Sequence, residues 1–205
     1  MTIMLDQEVV TPELDAASTL GETLLWVQNR LQDTGKVIVK VEIDGTVLDG
    51  TALSEKDQMA VGARQVGIFT ADQRDLAHAM LGKLAALVEY LGTRHRDVAN
   101  LIEQGQLPKA LEQLGGVLSA WQQIDQAYSS LCRMLHLRVE DLHVGDKRAT
   151  DSLAEFQGQL QEIHQALTQQ DMVLLADVLQ YEMDGAVANW TGMLAATLGV
   201  VDGVI

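Results

Sequence analysis

The chain has 205 residues, 47% of them hydrophobic and 21% charged, which excludes a disordered chain and leaves enough length to bury a core in one or two domains. Fourteen Lys and Arg stand against 29 Asp and Glu, a formal net charge of −15. The excess runs through both halves, with 5 basic and 11 acidic residues up to Ala71 and 9 and 18 from Asp72 onward, so phosphate backbones and anionic membrane surfaces are repelled and are excluded as partners.

Cys132 is the only cysteine, which rules out an intrachain disulfide and a thiolate zinc cluster built from one chain. Its spacing from Leu131 and Leu135 reads as a buried small hydrophobe. The opening residues Met1 to Glu8 lack the basic region and long apolar core of a signal peptide. No stretch approaches the roughly 18 apolar residues of a membrane span, so cytoplasmic residence is expected.

The first expected element is a helix from about Thr19 to Gln32, with Leu20, Leu24, Val27 and Leu31 on one face and Thr34-Gly35 as its stop. A strand follows, in which Val37, Val39, Val41 and Ile43 share one side while Lys40 and Glu42 share the other. Asp44-Gly45 favours a tight hairpin turn into Thr46-Val47-Leu48, and a third short strand is expected at Gln65 to Phe69.

From Asp72 the periodicity turns helical. Leu76, Met80, Leu84, Leu87, Leu91, Val98 and Ile102 trace one stripe, broken at Gly105 with Pro108 just beyond. A second stripe, Leu107, Leu111, Leu114, Leu118, Trp121, Ile124, Tyr128, Leu131 and Leu135, advances only by threes and fours. Residues 137–147 form a connection turning at Gly145-Asp146. Leu153, Phe156, Leu160, Ile163 and Leu167 mark a third helix. Asp171 is a good N-cap for a fourth, carrying Val173, Ala176, Leu179, Met183, Val187, Trp190, Leu194 and Leu198. The segments ending at Gly105 and Asp171 match weakly, suggesting a duplicated helical hairpin. The expected fold is therefore mainly α: residues 1–71 a small α+β unit containing a β-hairpin, and residues 72–205 an antiparallel four-helix bundle of two helical hairpins.

Two spacings suit metal ligation. Asp75 with His78, and Glu140 with His143, each place a carboxylate and an imidazole three residues apart, as carboxylate-bridged metal bundles do. Solvated side chains at helix ends account for the same residues, because inward-facing mid-helix glutamates do not accompany them. His95, between Arg94 and Arg96, and the isolated His136 and His164 read as solvated. No phosphate-cradling loop, nucleophile elbow or dinucleotide fingerprint is present, and no cofactor is expected. Gly115-Gly116, inside a strong helical stripe, points to close helix approach. Trp121, Tyr128, Tyr181 and Trp190 are the aromatic positions to follow: on the stripes Trp121 and Trp190 read as core, and in a partly exposed groove they would anchor a partner helix.

The order of segments resembles a family of uncharacterised bacterial proteins. The likeness lies in Thr19-Leu20-Gly21-Glu22-Thr23-Leu24 leading to Lys36-Val37-Ile38-Val39-Lys40-Val41 and Asp44-Gly45, then in Leu111 to Trp121, then in Asp171 to Glu182 ahead of Trp190. It implies an architecture and no activity. The acidic bundle with duplicated hairpins also resembles small cytoplasmic export chaperones, including those of the flagellar system, at the level of fold. The leading expectation is a non-enzymatic protein-interaction or adaptor protein, a chaperone for a secreted or assembling bacterial component, which also forms homo-oligomers. The alternative is a metal-dependent helical-bundle enzyme or metal-binding protein using Asp75, His78, Glu140 and His143.

Overall fold

A computed structural model describes residues 2–11, 18–48, 52, 53, 58–61 and 64–203. The chain is mainly helical with an N-terminal mixed sheet, and it divides into two compact units, Met1–Leu76 and Ala77–Ile205. No helix among the described residues is long and apolar enough to cross a membrane.

In the first unit, strands β1 (Thr2–Leu5), β2 (Glu8–Val10), β3 (Lys36–Ile43), β4 (Thr46–Leu48) and β5 (Gln65–Asp72) form a sheet in the order β2-β1-β5-β3-β4. Only the β1–β5 pairing is parallel. Helix α1 (Leu20–Leu31) starts with a capping box, in which the Glu22 N–H donates to Thr19 Oγ1 at 3.2 Å and the Thr19 N–H donates to Glu22 Oε2 at 2.8 Å. Its Leu20, Val27 and Leu31 share a core with Ile3, Val41, Ile43, Val66 and Ile68.

Asp44 and Gly45 both take positive φ, the geometry a two-residue hairpin demands, and bring Ile43 opposite Thr46 as expected. The β1–β2 hairpin was not expected. It turns at Asp6 and Gln7 with φ of 48° and 72°, in residues that carry no glycine signal. Asp6 is held by what its carboxylate accepts: the Thr70 N–H at 2.7 Å, the Thr70 hydroxyl at 2.5 Å and Lys36 Nζ at 3.4 Å. These donors, the Thr70 hydroxyl foremost, hold its carboxyl below the usual carboxylate range.

The strict alternation expected in β3 fails at a bulge between Ile38 and Lys40. The extra residue shifts the phase by one, so Ile38 packs toward the core, Val39 is 47% exposed, and Val41 and Ile43 are buried.

The second unit is built on α2 (Gln73–Glu103) from Ala77 onward, α3 (Leu107–Met134), α4 (Ala149–Gln169), a short α5 (Met172–Asp177) and α6 (Met183–Asp202) around one apolar core. Helices α2, α3 and α4 end on the same device. At the first end the Gln106 N–H donates to Leu101 O and the Gly105 N–H to Ile102 O. The pairs Leu137 to Cys132 with His136 to Arg133, and Asp171 to Ala166 with Gln170 to Leu167, repeat it. Each is a Schellman cap with its left-handed residue at Gly105, His136 or Gln170. By cap geometry Gly105 corresponds to Gln170, one residue earlier than the sequence comparison places the match. Asp171 caps α5 as expected, accepting from the Leu174 N–H at 3.0 Å.

Between α5 and α6 the helix widens into a π turn, Val178–Glu182, where the Met183 N–H reaches back to Val178 O. Leu175, Leu179 and Met183 are all buried, yet two steps of four drift by about 80° on a regular α-helix. The wider turn returns them to one face. The connection between α3 and α4 holds a 3-10 turn, Val139–Asp141, and a small hairpin, β6 (His143–Val144) with β7 (Lys147–Arg148), turning at Gly145-Asp146.

Open space surrounds Gly115 and Gly116, so the close approach expected there does not occur. It occurs instead at Gly192, where a Cβ would clash with Val144 Cγ1.

Candidate functional site

The stripe of α3 delivers Trp121 and Tyr128 to the middle of the helical unit, where Phe156 from α4, Trp190 from α6 and His95 from α2 meet them. Ring centroids of Trp121 and Phe156 are 4.8 Å apart, and those of Tyr128 and Trp190 are 5.4 Å apart in an edge-on contact. Phe156 also meets Trp190 edge-on at 5.8 Å. Such tilted pairs suit the aromatic quadrupole and add to the large apolar area buried.

His95 corrects the solvated reading. It is 1% exposed, stacks on Trp121 at 5.8 Å with planes 9° apart, and its Nε2 accepts the Trp121 Nε1–H at 2.8 Å. A nitrogen that accepts carries no proton, so His95 is neutral with its hydrogen on Nδ1, which has no hydrogen-bond partner among the described residues. Burial pushes its pKa down from 6.5 to about 4, with Asp184 pulling weakly the other way. The sequence did carry a signal: His95 fills the seven-residue gap between Leu91 and Val98 in the α2 stripe.

Thr197 Oγ1 donates to Met193 O at 2.9 Å, so the Tyr128 hydroxyl, 3.0 Å away, must be the donor of their shared bond. Burial raises the Tyr128 hydroxyl and the Cys132 thiol above their ordinary ranges, which leaves neither poised to ionise. The Trp190 indole N–H has no partner among the described residues.

Trp121, Tyr128 and Trp190 are thus core rings, each at most 2% exposed. Tyr181, in the π turn, is the exposed one of the four at 73%.

The metal candidates do not assemble. His78 Nε2 lies 3.0 Å from Asp202 Oδ1, and Glu140 pairs with Arg138. His143 opens β6 on the surface opposite Arg148, and Asp75 is exposed in the first turn of α2. Among the described residues no group of three or more His, Cys, Asp or Glu side chains is placed to hold a metal ion.

Above the aromatic cluster, α3 and α4 part to leave a groove of about 400 Å³. Trp121, Phe156 and Ile163 form its buried floor, half-buried Leu118, Leu153, Leu160 and Leu167 its walls, and exposed Gln122, Asp125, Gln157 and His164 its rim. Its volume and its apolar lining with few polar groups fall in the range seen for small-molecule pockets. A shallower depression of about 750 Å³ between α2 and α6 is lined by small residues, among them Gly82, Ala85 and Ala195. The groove residues were visible in the sequence as stripe members. Their partial exposure was not.

No curated protein and no solved structure matches the chain. Residues 79–193, from α2 into α6 and including the aromatic cluster and the groove, match a family model, and the chain belongs to that family, described as Domain of unknown function (DUF8042).

Proposed function

We propose that the chain is a non-enzymatic interaction protein of the adaptor or chaperone kind, whose helical unit is an antiparallel four-helix bundle of two hairpins and whose α3–α4 groove holds apolar side chains of a partner protein. The observation that carries this reading is the groove itself. Leucine walls stand half-open over an aromatic floor, whereas the buried His95 and Tyr128 are engaged in packing contacts, His95 with Trp121 and Tyr128 with Thr197. A ring cluster made rigid by four helices is a firm base for a docking surface. The reading includes self-association through faces other than this groove.

Site-specific cross-linking tests it. A benzophenone attached at Gln157→Cys, on the groove rim, should give protein adducts in cells that one attached at exposed Asp177→Cys does not. Cys132 is buried and does not compete for the label. Equal adduct yields at the two positions, or none, would contradict the reading.

A further inference from the structure

The groove walls repeat every seven residues. On α4, Leu153, Leu160 and Leu167 line the groove, with Phe156 and Ile163 three residues after the first two and buried beneath them. On α3, Leu118 lines the groove, with exposed Leu111 seven residues before it, outside the lining, and Asp125 seven after it, and with Leu114, Trp121 and Tyr128 buried below. This is the seam pattern of helices that pack knobs into holes, with one row left uncovered. From Leu153 to Leu167 the uncovered row is about 21 Å long, four turns of a docked helix.

Asp125 interrupts this row with a carboxylate where the repeat calls for an apolar residue. It is exposed, lines the groove, and has no ion-pair or hydrogen-bond partner among the described residues. No Lys or Arg lies at residues 110–132 of α3, and none follows Arg148 to the end of the chain, where eight Asp and Glu occur. The field over the groove therefore favours a cation. A charged or polar residue inside a seam sets the register and identity of what packs there.

We propose that the α3–α4 groove takes a cationic amphipathic helix of another protein, its apolar residues at helical spacing on the leucine walls and one Lys or Arg against Asp125. This rests on the interaction-protein reading and names the partner's chemistry. A second copy of the chain does not fit. Packed groove to groove, two molecules of net charge −15 would put both Asp125 carboxylates in the seam, with no Lys or Arg at residues 110–132 of either copy to pair them.

Three 18-residue peptides test the assignment by anisotropy at physiological salt: an amphipathic Leu–Lys helix, its Leu–Glu counterpart, and a Lys-matched peptide with Ser in place of Leu. The Leu–Lys helix should bind one to one, and the other two at least tenfold more weakly. Asp125→Lys should weaken the Leu–Lys helix at least tenfold. Asp151→Lys makes the same change in net charge on the side of α4 away from Leu160, and should change binding less than threefold. Both substitutions fall on exposed side chains, so folding is preserved, and circular dichroism checks it.

Equal weakening by the two lysine variants overturns the proposal in favour of unspecific charge attraction. If the Leu–Glu helix binds as well as the Leu–Lys helix and Leu160→Asp abolishes both, the cation preference is overturned while the docking groove stands. Self-association abolished by Leu160→Asp makes a second copy the occupant and overturns it too. If no peptide binds, this inference falls, and the interaction reading rests on the cross-linking result.

Discussion

Trp121 Nε1 donates to His95 Nε2 across 2.8 Å of buried space, and that one bond decides which imidazole nitrogen is protonated. A histidine fixed as an acceptor resists a second proton. Its folded-state pKa is about 4, against an ordinary value of 6.5. Between those values the unfolded chain binds a proton that the folded chain does not, so stability is fully present above about pH 6.5 and is lost as pH falls toward 4. The loss has an upper size of about 3 kcal/mol. Urea unfolding at pH 7 and pH 4.5 should show it in the native protein. His95→Gln, whose amide oxygen can accept from Trp121 without titrating, should remove most of the difference.

The two buried tryptophans should respond differently to the same substitution. Trp121→Phe leaves the His95 acceptor unpaired, whereas Trp190→Phe removes an indole N–H that has no partner among the described residues. Both lose ring volume. Denaturant midpoints should place Trp121→Phe lower, by about 1–2 kcal/mol, because an unmet buried acceptor adds to the cavity cost.

Glycine substitutions separate packing from helix propensity. Gly192→Ala drives a Cβ into a Val144 methyl, and a stiff branched side chain yields poorly, so a cost of about 1–3 kcal/mol is expected. Val144→Ala in the same chain should recover part of it. Gly115→Ala meets open space on a regular helix and should stabilise by about 0.5–1 kcal/mol. Thermal unfolding of the three variants gives the comparison.

The matched helix ends make a reciprocal prediction. Gln170 occupies, at φ 56°, the left-handed position that Gly105 fills at φ 72°. Gln170→Gly should raise stability by about 0.5–1 kcal/mol and Gly105→Gln lower it by a similar amount, since a Cβ at Gly105 meets nothing and only the backbone is strained. Opposite signs in a single denaturation series are the expected result.

What the sequence made legible was periodicity. The long helices, the Asp44-Gly45 hairpin and the cap at Asp171 follow from residue patterns that act locally. The β1–β2 turn at Asp6-Gln7 stayed hidden because its stability comes from Thr70 and Lys36, far along the chain. The bulge at Val39 stayed hidden because alternation is read on the assumption that no residue is inserted. His95 was masked by its charged neighbours although its position lay within the apolar stripe. The groove was illegible for another reason: Leu118, Leu153, Leu160 and Leu167 look like any core leucine until the separation of α3 and α4 is known.

The most direct test of the docking groove is methyl chemical-shift mapping of the full chain during titration with the Leu–Lys helix. The account predicts that the largest shifts fall on Leu118, Leu153, Leu160, Ile163 and Leu167, saturating at one peptide per chain. Shifts concentrated on Leu81 and Leu194, in the α2–α6 depression, or an unchanged methyl spectrum, would contradict it.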